Sequence, residues 1–171
     1  QLGPTFQKYV FDDRNGSEDT ALKTVGNWKS AAASKVGDKV KFAVKVNLPK
    51  YPDDAAVSLV LKDTLENLQY TGETDNFEAV KVYYKHAEEY VAVTGAVTGV
   101  GASEYINGAQ TMDIGLDYGK LKAIAGVQDF YVYYEATLRE DAVANDKHSG
   151  TNTVKLDYKV ETSAGTYTGD S

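Results

Sequence analysis

The 171 residues contain no cysteine, which excludes disulfides, thiolate metal sites and a cysteine nucleophile. Histidine is nearly absent too: His86 and His148 are the only two. They leave little for metal binding or for acid–base chemistry near neutral pH, so no metal or cofactor is expected, and both read most simply as surface residues. No run approaches the roughly 18 apolar residues that a membrane helix needs, so membrane insertion is not expected. The opening stretch, QLGPTFQKYV, has no basic n-region leading into an apolar core, and no signal peptide is expected there. Basic residues are outnumbered 18 to 25 by acidic ones, for a net charge of −7. Such a chain does not replace the counterions of a phosphate backbone, so nucleic acid is not an expected partner.

What is present suits a soluble β protein with a substantial core: 42% hydrophobic residues, 25% charged, and 13 tyrosines beside one tryptophan. The dominant period is two. Val40, Phe42, Val44, Val46 and Leu48 alternate with Lys39, Lys41, Ala43, Lys45 and Asn47, the pattern of a strand with one buried and one wet face. Phe130, Val132, Tyr134, Ala136 and Leu138 repeat it, as do Val154, Leu156, Tyr158 and Val160. Shorter strands are expected at Phe6–Phe11, Val57–Leu61, Val80–Tyr84, Glu89–Thr94 and Thr111–Tyr118, with turns at 37–38, 49–54, 72–76, 95–101 and 145–150. Helix signals are thin: a short one over Gly119–Ala125 and one turn over Thr64–Leu68. An all-β sandwich is therefore expected. It is read as a single domain over residues 1–162, with an acidic insertion at 12–19 and a tail or interdomain linker at 163–171.

Parity puts three polar residues on apolar faces. Extending the last alternation backward from Val154 brings in Asn152, and extending Val57, Leu59 and Leu61 forward brings in Asp63. Lys8 shares a face with Phe6 and Val10. Left apart, each is costly to bury; the plain alternatives are a solvated lysine, an Asp63 that caps a turn and an Asn152 that ends a loop. Placed together they suit one reaction. Desolvation favours the neutral, nucleophilic amine of lysine and the protonated form of aspartate. The acid hydrogen-bonds the asparagine amide oxygen, polarises its carbon and passes a proton to the departing ammonia. The product is a self-generated lysine–asparagine isopeptide bond, formed once.

The same residues carry a resemblance. Pro4-Thr5-Phe6-Gln7-Lys8-Tyr9-Val10 resembles the opening strand of the D2-type isopeptide domains of Gram-positive, sortase-assembled pilins. Trp28-Lys29-Ser30-Ala31, then Val36-Gly37-Asp38-Lys39-Val40-Lys41-Phe42 and Leu48-Pro49, is similar to the "W-K-x-A … I-G-D-x-V-x-F … L-P" segment of that family. Lys62-Asp63-Thr64-Leu65 with Leu68 and Tyr70 resembles its "D-T-L-S-x-G-L-x-Y" segment, and Tyr134-Glu135-Ala136-Thr137-Leu138 its "Y-x-A-x-L" strand. Thr151-Asn152-Thr153-Val154-Lys155-Leu156-Asp157-Tyr158 resembles its last strand. The resemblance implies an immunoglobulin-like (adhesin, CnaA-type) β-sandwich with an intramolecular isopeptide bond, in which Lys8 donates the amine, Asn152 accepts it and Asp63 assists. It further implies a structural, non-enzymatic module of an extracellular, cell-wall-anchored pilus or adhesin. Expected partners are neighbouring pilin domains or subunits, sortase acting on the parent protein, and a host surface ligand.

The sequence also departs from that pattern. Asn67 replaces a glycine, a position where asparagine tolerates the left-handed conformation. The stretch 12–26 is long and carries a rival donor, Lys23. Neither a Leu-Pro-x-Thr-Gly sorting signal nor a Tyr-Pro-Lys-Asn pilin motif occurs, so one domain of a longer parent is expected. Three further readings rest on residues alone. Tyr83, Tyr84, Tyr131, Tyr133 and Tyr134 offer an aromatic platform for a glycan or matrix ligand. Asp113, Asp117, Glu88 and Glu89 are carboxylates for a hydrolase, without diagnostic spacing. Asp13, Asn15 and Ser17, with Glu18 and Asp19, offer oxygens to calcium but place Gly16 at the wrong loop position for an EF-hand.

Overall fold

The computed structural model describes residues 3–11, 28–29, 36–72, 79–139 and 150–170. Within them the two-residue period becomes the strands β1 (Thr5–Phe11), β2 (Trp28–Lys29), β3 (Lys39–Asn47), β4 (Ala56–Glu66), β5 (Leu68–Tyr70), β6 (Lys81–His86) and β7 (Glu89–Ala92). There follow β8 (Val97–Ala102), β9 (Ala109–Leu116), the short helix α1 (Tyr118–Lys122), β10 (Asp129–Leu138), β11 (Thr151–Thr162) and β12 (Gly165–Asp170). They form two antiparallel sheets. One has the order β2-β1-β3-β10-β6-β7, with β5 also paired to β10, and the other β12-β11-β4-β9-β8.

The core lies between the sheets and follows the predicted parities. In the first sheet Val44 and Val132 stand in one row and Val46 and Phe130 in the next. In the second, Leu156, Leu61 and Ile114 form a row across three strands. Nearly all of these side chains are fully buried, each contributing roughly 1.5–3 kcal/mol of apolar burial. The result is the expected immunoglobulin-like β-sandwich.

Three expectations are corrected. No helical turn forms at Thr64–Leu68: β4 continues to Glu66, Asn67 adopts φ 58°, and β5 begins at Leu68. Leu65 and Leu68 share a helix-like spacing because the chain changes sheets between them, and both side chains enter the core from opposite layers. The glycine-rich stretch expected as a turn at 95–101 holds β8, an edge strand with a register shift between Val97 and Gly99. Gly115 on β9 leaves the room that Thr98 occupies, where any Cβ would collide with its hydroxyl. Residues 165–170, expected as part of a tail or linker, run back as β12 along Asp157–Thr162 of β11. β12 is exposed along its described side chains, so it lacks the apolar/polar contrast that marks a half-buried strand.

Candidate functional site

Strand register brings the three predicted residues into one place between the sheets. Lys8 lies on β1 in the row of Val44 and Val132. Asn152 lies on β11 opposite Leu65, and Asp63 on β4 sits opposite Val154 on one flank and Met112 on the other. Lysine thus arrives from one sheet, and aspartate and asparagine from the other. Asp63 and Asn152 are 1% and 6% exposed, against a rule that such groups stay wet. Lys8 is half-buried, its alkyl stem entering the sandwich.

The polar atoms face one another. Lys8 Nζ donates to Asn152 Oδ1 at 2.7 Å and to the Asn152 backbone carbonyl, also at 2.7 Å. Asn152 Nδ2 donates to Asp63 Oδ2 at 3.1 Å. This differs from the expectation that Asp63 would hold the amide oxygen. The charged amine can only donate, so it takes the one amide oxygen, and the amide nitrogen turns to the acid. A fourth group, which parity counted as merely apolar, completes the cluster: the Tyr134 hydroxyl on β10 donates to the same Asp63 Oδ2 at 2.5 Å. A buried tyrosine usually finds a partner for its hydroxyl, and that tendency was the available signal. Asp63 Oδ1 is buried with no hydrogen-bond partner among the described residues.

Burial opposes charge on both ionisable groups. It lowers the Lys8 pKa, with the Asp63 charge opposing. It raises the Asp63 pKa, against the hydrogen bonds from Tyr134 and Asn152 and the charge of Lys8. Tyr134 is pushed well above its ordinary value, first by burial and then by Asp63. An ammonium–carboxylate pair is thereby driven toward a neutral amine and a neutral acid. An amine touches an amide whose nitrogen touches a carboxyl group, an arrangement chemically able to support acyl transfer from nitrogen to nitrogen.

The other sequence candidates do not converge. Lys23, the oxygens at 13–19 and His148 lie outside the described residues. Asp113 meets Lys62 at 3.7 Å on the surface, Asp117 caps α1 by accepting from the Lys120 N–H, and Glu88, Glu89 and His86 are exposed. The five tyrosines do not share one exposed face. Tyr134 points into the core, while Tyr83 and Tyr133 are only 7% and 4% exposed, packed with Ala43 under Tyr9, Tyr90 and Tyr131. No helix among the described residues is long and apolar enough to cross a membrane.

Solved structures share this architecture. The chain is similar to the pilus backbone protein RrgB of Streptococcus pneumoniae, with 20% identity and a TM-score of 0.55 over 98% of this chain and 56% of that one. It is similar to the major pilin subunit BcpA of Bacillus cereus, with 16% identity and a TM-score of 0.52 over 98% of this chain and 38% of that one. The fimbrial protein FimP of Actinomyces oris matches with 13% identity and a TM-score of 0.52, covering 98% and 32% of the two chains. The chain therefore has the fold of a pilin domain and spans about half or less of the proteins it matches. No family model matches the sequence, and no curated protein matches it.

Proposed function

We propose that this domain is a structural module of a Gram-positive surface pilus or adhesin, braced by an isopeptide bond that it makes itself between Lys8 and Asn152. The observation that carries this reading is the contact of Lys8 Nζ with Asn152 Oδ1 at 2.7 Å while Asp63 holds Nδ2 of the same amide. In the first step the ammonium of Lys8 gives a proton to the Asp63 carboxylate, leaving an amine and a carboxylic acid. The amine attacks Asn152 Cγ, the Nζ–Cγ bond forms and the Cγ–Nδ2 bond breaks. Nδ2 leaves as ammonia, having taken its third hydrogen through Asp63, and the proton lost by Nζ restores the acid. One neutral amide replaces an amine and an amide, so the cluster keeps no buried cation. The reaction runs once per chain, and the domain is not an enzyme in the turnover sense.

The bond closes a loop of about 145 residues, for which the chain-entropy relation gives about 5 kcal/mol of stabilisation. It joins the first strand of one sheet to the penultimate strand of the other, since β12 follows β11. Tension entering through β1 and leaving beyond Asn152 crosses the link and bypasses most of both sheets. Unlike a disulfide it is indifferent to reductant, which suits a surface domain whose 171 residues include no cysteine. In the parent protein the neighbours are further pilin domains or subunits, and sortase supplies the links between subunits and to the cell wall.

Intact mass tests the reading. Wild type is expected about 17 Da below its sequence mass, for one lost ammonia, with a Lys8–Asn152 cross-linked peptide after digestion. Lys8→Ala and Asp63→Ala should show the full mass, and Lys23→Ala should keep the deficit. Full mass in wild type, or a deficit that follows Lys23, defeats the assignment.

A further inference from the structure

We infer that Tyr134 is a positioning residue for the bond-forming step, holding Asp63 so that its Oδ2 faces the nitrogen that leaves Asn152. The inference rests on the reading above and adds a residue that neither the sequence pattern nor the resemblance assigned to the reaction. Two donors converge on one oxygen: the Tyr134 hydroxyl at 2.5 Å and Asn152 Nδ2 at 3.1 Å, while Oδ1 has no partner. An aspartate held only by Asn152 turns freely about its terminal torsion. The second donor, approaching from the opposite sheet, fixes that torsion.

Tyr134 is itself closely packed. It is fully buried, stands opposite Phe42 in the β3–β10 register and packs against its ring with centroids 5.7 Å apart. Timing follows from topology. Asp63 and Asn152 share a sheet and meet when β4 and β11 pair, before any reaction is useful. Lys8 and Tyr134 both belong to the other sheet, so nucleophile and aim arrive together when the layers dock. The acid is thus oriented only in a packed sandwich, and the covalent link records a completed fold.

The hydroxyl has a second consequence with a definite sign. A hydrogen bond donated to a carboxylate favours its ionised form, opposing the burial that raises the Asp63 pKa. The acid therefore stays able to release a proton to Nδ2. Without the hydroxyl, Asp63 keeps its proton to higher pH.

Refolding kinetics separate these effects. Full chain isolated unfolded and unlinked is diluted into buffers from pH 5 to 9, and the species lighter by about 17 Da is followed in time. In Tyr134→Phe the plateau rate should fall about tenfold or more from lost alignment. The alkaline limb, where Asp63 loses its proton, should move up by about one pH unit. 3-Fluorotyrosine at position 134, a modestly stronger donor that keeps ring and hydroxyl, should move that limb down; it also serves if the phenylalanine variant fails to fold. A limb that stays in place in the variant that folds overturns the inference, even if the rate falls, because packing alone then explains the loss. Absence of the lighter species in wild type at every pH defeats the underlying reaction instead.

Discussion

Two clusters among the described residues go against the inside–outside rule, and they behave differently. Between the sheets, Lys8, Asp63, Asn152 and the Tyr134 hydroxyl place polar atoms where apolar ones belong. On the outer face of the first sheet, Tyr83 and Tyr133 bury their rings with Ala43 under Tyr9, Tyr90 and Tyr131, where water belongs. Burial raises the pKa of phenols in both places: Tyr131 is pushed to about 12, first by burial and then by Tyr90. A phenol is already neutral at pH 7, so that shift changes no charge. In the inner cluster the same force acts on a lysine and an aspartate, and there it opposes the charge each carries in water. Desolvation makes chemistry only where the group it acts on is ionised to begin with and faces something to react with. The outer hydroxyls meet quieter partners, as where Tyr133 donates to Glu135 Oε2 at 2.6 Å on its own strand.

The sharpest way to break this contrast is to disable each cluster separately. Lys8→Ala should abolish the ammonia loss and lower stability by about 5 kcal/mol, the loop-closure contribution. Urea titration of wild type and variant reads it. Next in size, Tyr133→Ala empties a buried aromatic site and should cost about 3–5 kcal/mol, yet keep the full mass deficit. Should the deficit vanish while the variant remains folded, the outer cluster takes part in the chemistry and the contrast fails.

A smaller effect tests the charge argument. Asp63 titrates near 3.8 unfolded and higher in the folded chain, because burial favours its neutral form. Between those two values the native state holds a proton that the unfolded state has released. Stability therefore falls as pH rises through the window and levels off above the folded pKa, by about 1.4 kcal/mol per unit of difference. In Lys8→Ala the opposing positive charge is gone, so the window widens upward. Urea midpoints of this variant should drop from pH 4 toward neutrality more steeply than those of Lys8→Ala combined with Asp63→Asn. Equal slopes would mean that Asp63 is ionised throughout.

Much of the inner cluster was legible in the sequence because strand parity is a strict rule: one residue's shift reverses every side chain. Val57, Leu59 and Leu61 fixed the direction of Asp63, and Val154 and Leu156 that of Asn152. The outer cluster was not legible, since Tyr9, Tyr83, Tyr90, Tyr131 and Tyr133 come from four strands whose adjacency depends on sheet order. Tyr134 was legible as a core residue but not as a donor, because a pattern of apolar positions does not register a hydroxyl. β8 and β12 escaped for a third reason. VTGVGA and GTYTGD lie at sheet edges and mix glycine with small polar residues, so neither shows a face to bury.

The smallest prediction concerns the sheet crossover that follows Asp63 along the chain. Asn67 adopts φ 58°, donates its N–H to the Gly108 carbonyl at 2.8 Å and accepts from the Arg139 N–H at 2.9 Å. There the chain passes from the second sheet into the first. Both hydrogen bonds are made by the backbone, so any residue that tolerates a left-handed conformation serves. Asn67→Gly should leave stability nearly unchanged, whereas Asn67→Ala should cost about 1 kcal/mol for the strained φ. Neither should alter the ammonia loss, because β4 remains pinned in register along both β9 and β11. If Asn67→Ala instead forms the bond incompletely while still folding, the register of β4 is set at this turn, and the aim of Asp63 depends on the sheet crossover as well as on its neighbours in the strand.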